Sequence, residues 1–389
     1  MREKQNSKTY PLIVGMTVLG ALGVSLCAFG GPDVRVRFFA NWVLWLVMLL
    51  SLFLGSLFLV TLEHLVSARW SVPLRKVPER LASVLWLVVP VALIALFGIH
   101  DLYLWARPEA LQDIILTKKA LWLNYPFFCL RVVICLALWA LFYYLLVGGS
   151  KKQELGLAPK FKVRAKRLAP VCMIVFAITV SVAAFDWIMS LEPHWFSTMI
   201  GVYLFSGSVV CGLAATTLLT VYLMGKGRLP GIKTDHLYNL GALQFAFTAF
   251  WAYIAFSQFM LIWYANLPEE NVFFIHRFHG GWLGVSILLP VIHFFIPFFA
   301  LLARDAKSNV TRLTWVSILL LVSHLVDMYW YIFPTLDAQI LFGWQELSFA
   351  LFFVGLALLW VRHILKRGAD MPTNDPLLEE GLSFSLQEI

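Results

Sequence analysis

Within Asp186-Trp187-Ile188-Met189-Ser190-Leu191-Glu192-Pro193-His194-Trp195, two carboxylates and an imidazole lie among aromatic rings, between two long apolar runs. Imidazole titrates near neutral pH, and ionisable groups at the edge of an apolar phase suit proton transfer. The stretch therefore reads as the mouth of a proton or quinone path, with Asp186, His194 and Trp195 as the quinone contacts. A solvated cap between two helices is the plainer use of the same residues. Farther on, His324 and Asp327 are three apart, which puts them on one helix face, with Ser323 beside them. His293 lies in the middle of another apolar run, and His276, Arg277 and His279 open that run beside Glu269 and Glu270. Asp186, Glu192, His194, His279, His293, His324 and Asp327 together place proton-carrying groups at several depths, as a relay needs. Gln244, Tyr253, Ser257 and Gln258 add hydrogen-bonding groups nearby. Each polar residue taken alone fits ordinary interhelical hydrogen bonding.

Arg131 sits about one turn inside an apolar run. A charge in the bilayer centre costs about 2.5–3.5 kcal/mol on insertion scales, so it needs a partner or a route outward. Asp101 and Asp186 end neighbouring runs at similar depth and are the expected ion-pair partners. Glu63, His64, Asp235 and His236 stand at run ends and read as interfacial. The five cysteines lie in apolar runs without C-x-x-C spacing and read as small buried hydrophobes. No metal-ligand spacing, phosphate-binding glycine loop or hydrolytic triad is visible. Only His293 and His324 are near mid-membrane, whereas a two-haem membrane cytochrome needs paired imidazoles at matched depths. No cofactor bound by this chain itself is expected.

The elements that must position these groups follow from composition. The chain has 389 residues, 60% hydrophobic and 13% charged, with a mean hydropathy of +0.80. That predicts an all-α integral membrane protein. Ten apolar runs are long enough to span, at about 10–30, 39–64, 81–105, 126–148, 169–191, 197–224, 237–264, 277–303, 312–333 and 344–366. The first run lacks a clear cleavage site and reads as a retained helix. Residues 1–366 form one polytopic domain, and 367–389 a loose polar tail on the membrane surface. Most of the 30 Lys and Arg residues fall on the side that holds the N-terminus, in the clusters Arg69–Arg80, Lys151–Arg167, Lys226–Lys233, Arg304–Arg312 and Arg362–Arg367. The bias puts both termini in the cytoplasm. It also explains the net charge of +8 without nucleic acid. The opposite side is poor in basic residues and rich in Trp, Tyr, Pro and acid, which suits docking of an extramembrane subunit. The loop at 106–124 is long enough for an interfacial helix. Pro170, Pro290 and Pro297 could kink helices, but no matched pair of interrupted spans points to a secondary transporter.

Two stretches go further. Phe185–Ser208 contains Phe185-Asp186-Trp187-Ile188-Met189-Ser190-Leu191-Glu192-Pro193-His194-Trp195-Phe196-Ser197-Thr198, then Gly201, Tyr203 and Ser206-Gly207-Ser208. Phe250–Glu270 contains Phe250-Trp251-Ala252-Tyr253, Phe256-Ser257-Gln258-Phe259 and Trp263-Tyr264-Ala265-Asn266-Leu267-Pro268-Glu269-Glu270. Both resemble the NrfD-like (polysulfide-reductase-type) membrane subunits of alternative complex III, and more closely the second of its two large subunits. The resemblance covers nearly the whole chain. It implies two four-helix bundles plus two peripheral helices, in a bacterial inner-membrane quinol:electron-acceptor oxidoreductase. The implied partners are a sister NrfD-like membrane subunit, a periplasmic iron–sulfur subunit and c-type cytochrome subunits, which carry the iron–sulfur clusters and c-type haems. Quinol oxidation is then chiefly the sister subunit's work, and this chain is a scaffold and possible proton path. The alternative is that this chain itself binds and oxidises quinol, with menaquinone among the possible quinones.

Overall fold

The structure, a computed structural model, describes residues 2–158 and 160–386, with side chains from residue 9 onward. The side chains of Arg2, Lys4 and Lys8, and tail residues 387–389, lie outside that description. Among the described residues there is no strand. Ten helices are long and apolar enough to cross a membrane: α1 Thr9–Ala28, α2 Pro32–Val66, α3 Val72–Leu102, α4 Tyr125–Glu154, α5 Phe161–Leu191, α6 Ile200–Gly225, α7 Thr234–Ala265, α8 Trp282–Leu301, α9 Val310–Thr335 and α10 Trp344–Ile364.

The helices pack as two four-helix bundles and a peripheral pair. α2, α3, α4 and α5 form the first bundle; α6, α7, α8 and α9 form the second; α1 and α10 lie against each other beside α2. α2 and α6 are largely buried and join the bundles. A Cβ on Gly55 would run into the Ser208 carbonyl, and one on Gly212 would meet the Gly55 backbone, so these glycines let the two helix backbones touch. Between membrane helices small residues do the work that hydrophobic segregation does in water. The peripheral pair uses the same device, through Gly20 and Gly23 on α1 and Gly355 on α10.

Two expectations need correction. His276, Arg277 and His279 do not open α8. His276 and Arg277 lie on a separate helix, Pro268–Phe278, and His279 on the turn after it, where Gly280 adopts φ 60°. The Gly280–Gly281 pair breaks a hydropathy run that looks continuous in sequence. The tail is also not loose. Asp370 pairs with Arg80 and Arg228, Asp375 with Arg75 and Lys162, and Glu380 with Arg69. The short helix Leu378–Ser383 follows, and the Gly381 carbonyl meets the His236 ring. Hydropathy marks the tail as polar, but its carboxylates match basic loops of both bundles. Glu63, His64 and His236, which sequence placed at the interface, are buried. The 106–124 loop does carry a helix, Ile114–Lys119, capped by Asp113.

Candidate functional site

The polar residues of the second bundle converge on Asp327. This side chain is fully buried on α9, where no charge is retained without partners. Tyr203 on α6 donates its hydroxyl to Asp327 Oδ1 at 2.5 Å, and Trp251 on α7 donates its indole N–H to Oδ2 at 3.0 Å. His293 Nδ1 stands 3.8 Å and His324 Nδ1 4.0 Å from Oδ2. These distances are beyond a direct hydrogen bond but within a small side-chain shift. One carboxylate thus gathers groups from all four helices of the bundle.

Local sequence explains the convergence. Pro297 has no N–H to give the carbonyl of His293, four residues earlier, and α8 widens into a π-turn over Val291–Phe295. That turn aims His293 inward, where its ring stacks on Trp251 with centroids 3.8 Å apart. Gly207 makes room for His324: a Cβ there would lie 2.6 Å from its Cε1. None of the four ring nitrogens of His293 and His324 has a hydrogen-bond partner among the described residues, although both rings are fully buried. An unsatisfied buried donor or acceptor costs about 1–3 kcal/mol, so packing alone does not favour imidazoles here.

Polar groups continue from this centre toward both faces. Toward the side opposite the N-terminus, the Tyr203 ring lies 4.8 Å from that of Tyr331, whose hydroxyl donates to Gln258 Oε1 at 3.3 Å. Arg277 donates to the carbonyls of Phe273, Trp330 and Tyr331 and to Glu192 at 3.2 Å, and His276 meets Glu192 at 3.0 Å. Burial pushes the Arg277 guanidinium down from its ordinary range, and Glu192 opposes the shift. Toward the N-terminal side, Gln244 donates to Thr217 at 2.6 Å and to Ser317 at 3.0 Å. Ser317 is seven residues before His324, roughly 10 Å along the helix. The buried, unpartnered Thr248 hydroxyl occupies that interval on α7, one turn from Gln244.

The other sequence candidates lie elsewhere. Arg131 holds both oxygens of Asp186 at 2.8 Å and the Trp122 carbonyl at 2.9 Å, with its guanidinium over the Trp122 and Phe127 rings. Of its two expected partners, then, Asp186 is the actual one; Asp101 pairs with Arg35 at 2.9 Å. The space beside Asp186 is only about 10 Å³, room for at most one water. His194 is half-exposed and bonded to Asp113 at 2.6 Å, and this bond holds the Asp113 carboxyl below its usual range. Trp195 is buried, stacked on Phe273. His279 is exposed, with Nδ1 at the Ile275 carbonyl. Of the seven proton-path candidates, the structure brings His293, His324 and Asp327 together and links Glu192 to the column through Arg277. Asp186, His194 and His279 stand apart.

Thr248 escaped the sequence reading, and Tyr203, Trp251, Arg277 and Tyr331 were not among its site candidates. The signal for α7 was present: Gln244, Thr248, Trp251 and Gln258 recur at steps of four, three and seven residues, on one face. Trp and Tyr are discounted as belt residues in a membrane sequence, which hides those that donate hydrogen bonds inside.

A cavity of about 630 Å³ opens beside the cluster, between α7, α8 and α9. Tyr203, Trp251, Gln258, Ser286 and Tyr331 line its inner wall, and the exposed rings of Tyr253, Phe256 and Phe295 flank its mouth. Gln258 Nε2 is buried there without a hydrogen-bond partner. Among the described residues no group of three or more His, Cys, Asp or Glu side chains could hold a metal ion. No family model matches the chain, and no curated protein matches it significantly.

Proposed function

We propose that this multi-pass membrane protein is a subunit of a bacterial quinol:electron-acceptor oxidoreductase of the alternative complex III type. It sits in the inner membrane with both termini cytoplasmic, next to a sister NrfD-like subunit. Its aromatic, acid-rich side docks the periplasmic iron–sulfur and c-type cytochrome subunits, and its second bundle conducts protons. The two resembling stretches and the one-sided Lys and Arg support the assignment. The observation that carries the proton role is the Asp327 cluster, with four groups from four helices around one buried carboxylate. Asp327 takes and gives up a proton as its partners rotate; His293 and His324 are the next acceptors; Glu192 and Gln244 mark the two exits. The test is Asp327→Asn and His324→Gln in the purified complex. Expected are an unchanged set of co-purifying subunits with quinol-reducible c-type haem, and fewer protons moved per quinol in vesicles. An unchanged proton yield in both variants removes the relay.

The cavity favours a second reading, in which this chain binds quinol itself. A quinone headgroup fits about 630 Å³ of aromatic space. The free Gln258 amide would donate to its carbonyl, and Tyr203 would connect it to Asp327. Photo-reactive quinone should then label peptides holding Tyr253 and Phe256. Labelling confined to the sister subunit rejects this reading; labelling at Asp186–Trp195 moves the site to the hairpin.

A further inference from the structure

A second cavity, of about 480 Å³, lies on the N-terminal side in the first bundle, where α2 ends beside the start of α5. Arg69, Lys162 and Lys166 line it, together with Glu63 and His64. Glu63 is neutralised by Arg75 at 3.2 Å, Lys162 shares Asp375 and Arg69 pairs with Glu380, while Lys166 is exposed and makes no ion pair among the described residues. His64 is only 5% exposed, its ring packs edge-on against Phe161, and its Nε2 has no hydrogen-bond partner. The lipid-facing wall is apolar: Val66 and Val163 are each 59% exposed at the same level as the cations. On the other flank of Val66 a slot of about 200 Å³ runs between Leu59, Leu62, Trp70, Leu213, Leu240 and Leu243. The basic cavity and the apolar slot share Glu63, Val66 and Ala68 as a common wall, so cations and apolar surface adjoin.

We propose that this site binds an anionic phospholipid, its phosphate held by Lys166, Lys162 and Arg69 and one acyl chain in the slot beyond Val66. Basic pockets between membrane helices recognise headgroups in this way. The docked tail contributes Leu377 to the wall, so the site is complete only when the tail is closed.

Native mass spectrometry of the delipidated full chain, in whatever assembly it purifies with, tests this by titration with phosphatidylglycerol and phosphatidylcholine of identical acyl chains. Phosphatidylglycerol should be retained preferentially. Lys166→Gln alters an exposed, unpaired residue and should weaken phosphatidylglycerol about fivefold, the effect of one basic residue at a membrane surface. Lys118→Gln on the opposite side should leave it unchanged. Equal retention of the two lipids, or equal affinity in wild type and Lys166→Gln, overturns the proposal. So does displacement by millimolar inorganic phosphate alone, which would mark a free-phosphate site.

Discussion

Two buried carboxylates in this molecule have opposite surroundings. Asp186 is closed by the bidentate Arg131 guanidinium, with cation–π contacts behind it. Asp327 has no cation, only a phenol, an indole and two imidazoles nearby. The first arrangement favours a fixed charge and the second a movable proton. Removing one partner of a buried pair leaves an uncompensated charge and costs about 3–5 kcal/mol. Arg131→Met should therefore destabilise the protein by that amount in thermal unfolding in detergent, and Arg131→Met with Asp186→Leu should recover most of it. Gly207→Ala should displace the His324 ring and reduce proton movement without loss of the fold, since only one side chain must yield. Spacing within one helix made His324 and Asp327 legible in the sequence, and mid-run position did the same for His293. Tyr203 and Trp251 were not legible as partners, because which helix faces which is a property of packing.

At the level of elements, prolines and glycines decide where side chains point. Pro297→Ala restores the missing N–H to the His293 carbonyl, so α8 should regain α-helical register and turn His293 away from Trp251. Its stacked imidazole resonance should move toward an unstacked position in NMR of histidine-labelled protein. Gly55→Leu should separate α2 from α6 and split the bundles, seen as loss of the assembled species on gel filtration. The tail allows a pH prediction. Burial alone would raise the Asp375 carboxyl, but Arg75, the Leu377 N–H and Lys162 outweigh it and hold the carboxyl below its usual value. A depressed folded value means that its contribution to docking is complete above the ordinary carboxylate pKa of about 3.9 and disappears as pH falls through the lower, docked value. Asp375→Asn should mimic that loss at neutral pH, weakening docking by about 1.5–3 kcal/mol and speeding amide exchange across 370–386. Sequence reading found the tail polar and stopped there. Carboxylates at Asp370, Asp375 and Glu380 declare charge, and their targets lie hundreds of residues earlier, at Arg69 before α3 and at Arg75 and Arg80 in its first turns.

For the whole molecule, ten spans were legible because bilayer thickness sets helix length. The bundle pairing was not legible from hydrophobic periodicity: in lipid every face of a span is apolar, and only small or polar residues hint at the buried one. Single cysteines test the orientation, with Arg367→Cys expected to react from the cytoplasm and Asn266→Cys from outside with a membrane-impermeant maleimide. The clasped tail has a consequence for biogenesis. It follows all ten spans in the chain, yet its carboxylates bind cations from both bundles: Arg75, Arg80 and Lys162 in the first, Arg228 in the second. A ribosome therefore delivers the closing acids only after every span has left the exit tunnel. Until then, the loop cations remain free for the insertion machinery and the anionic leaflet to hold. Closure of the tail therefore requires that the spans carrying its partners have been inserted the same way round, since an inverted span would leave the acids across the membrane from those cations.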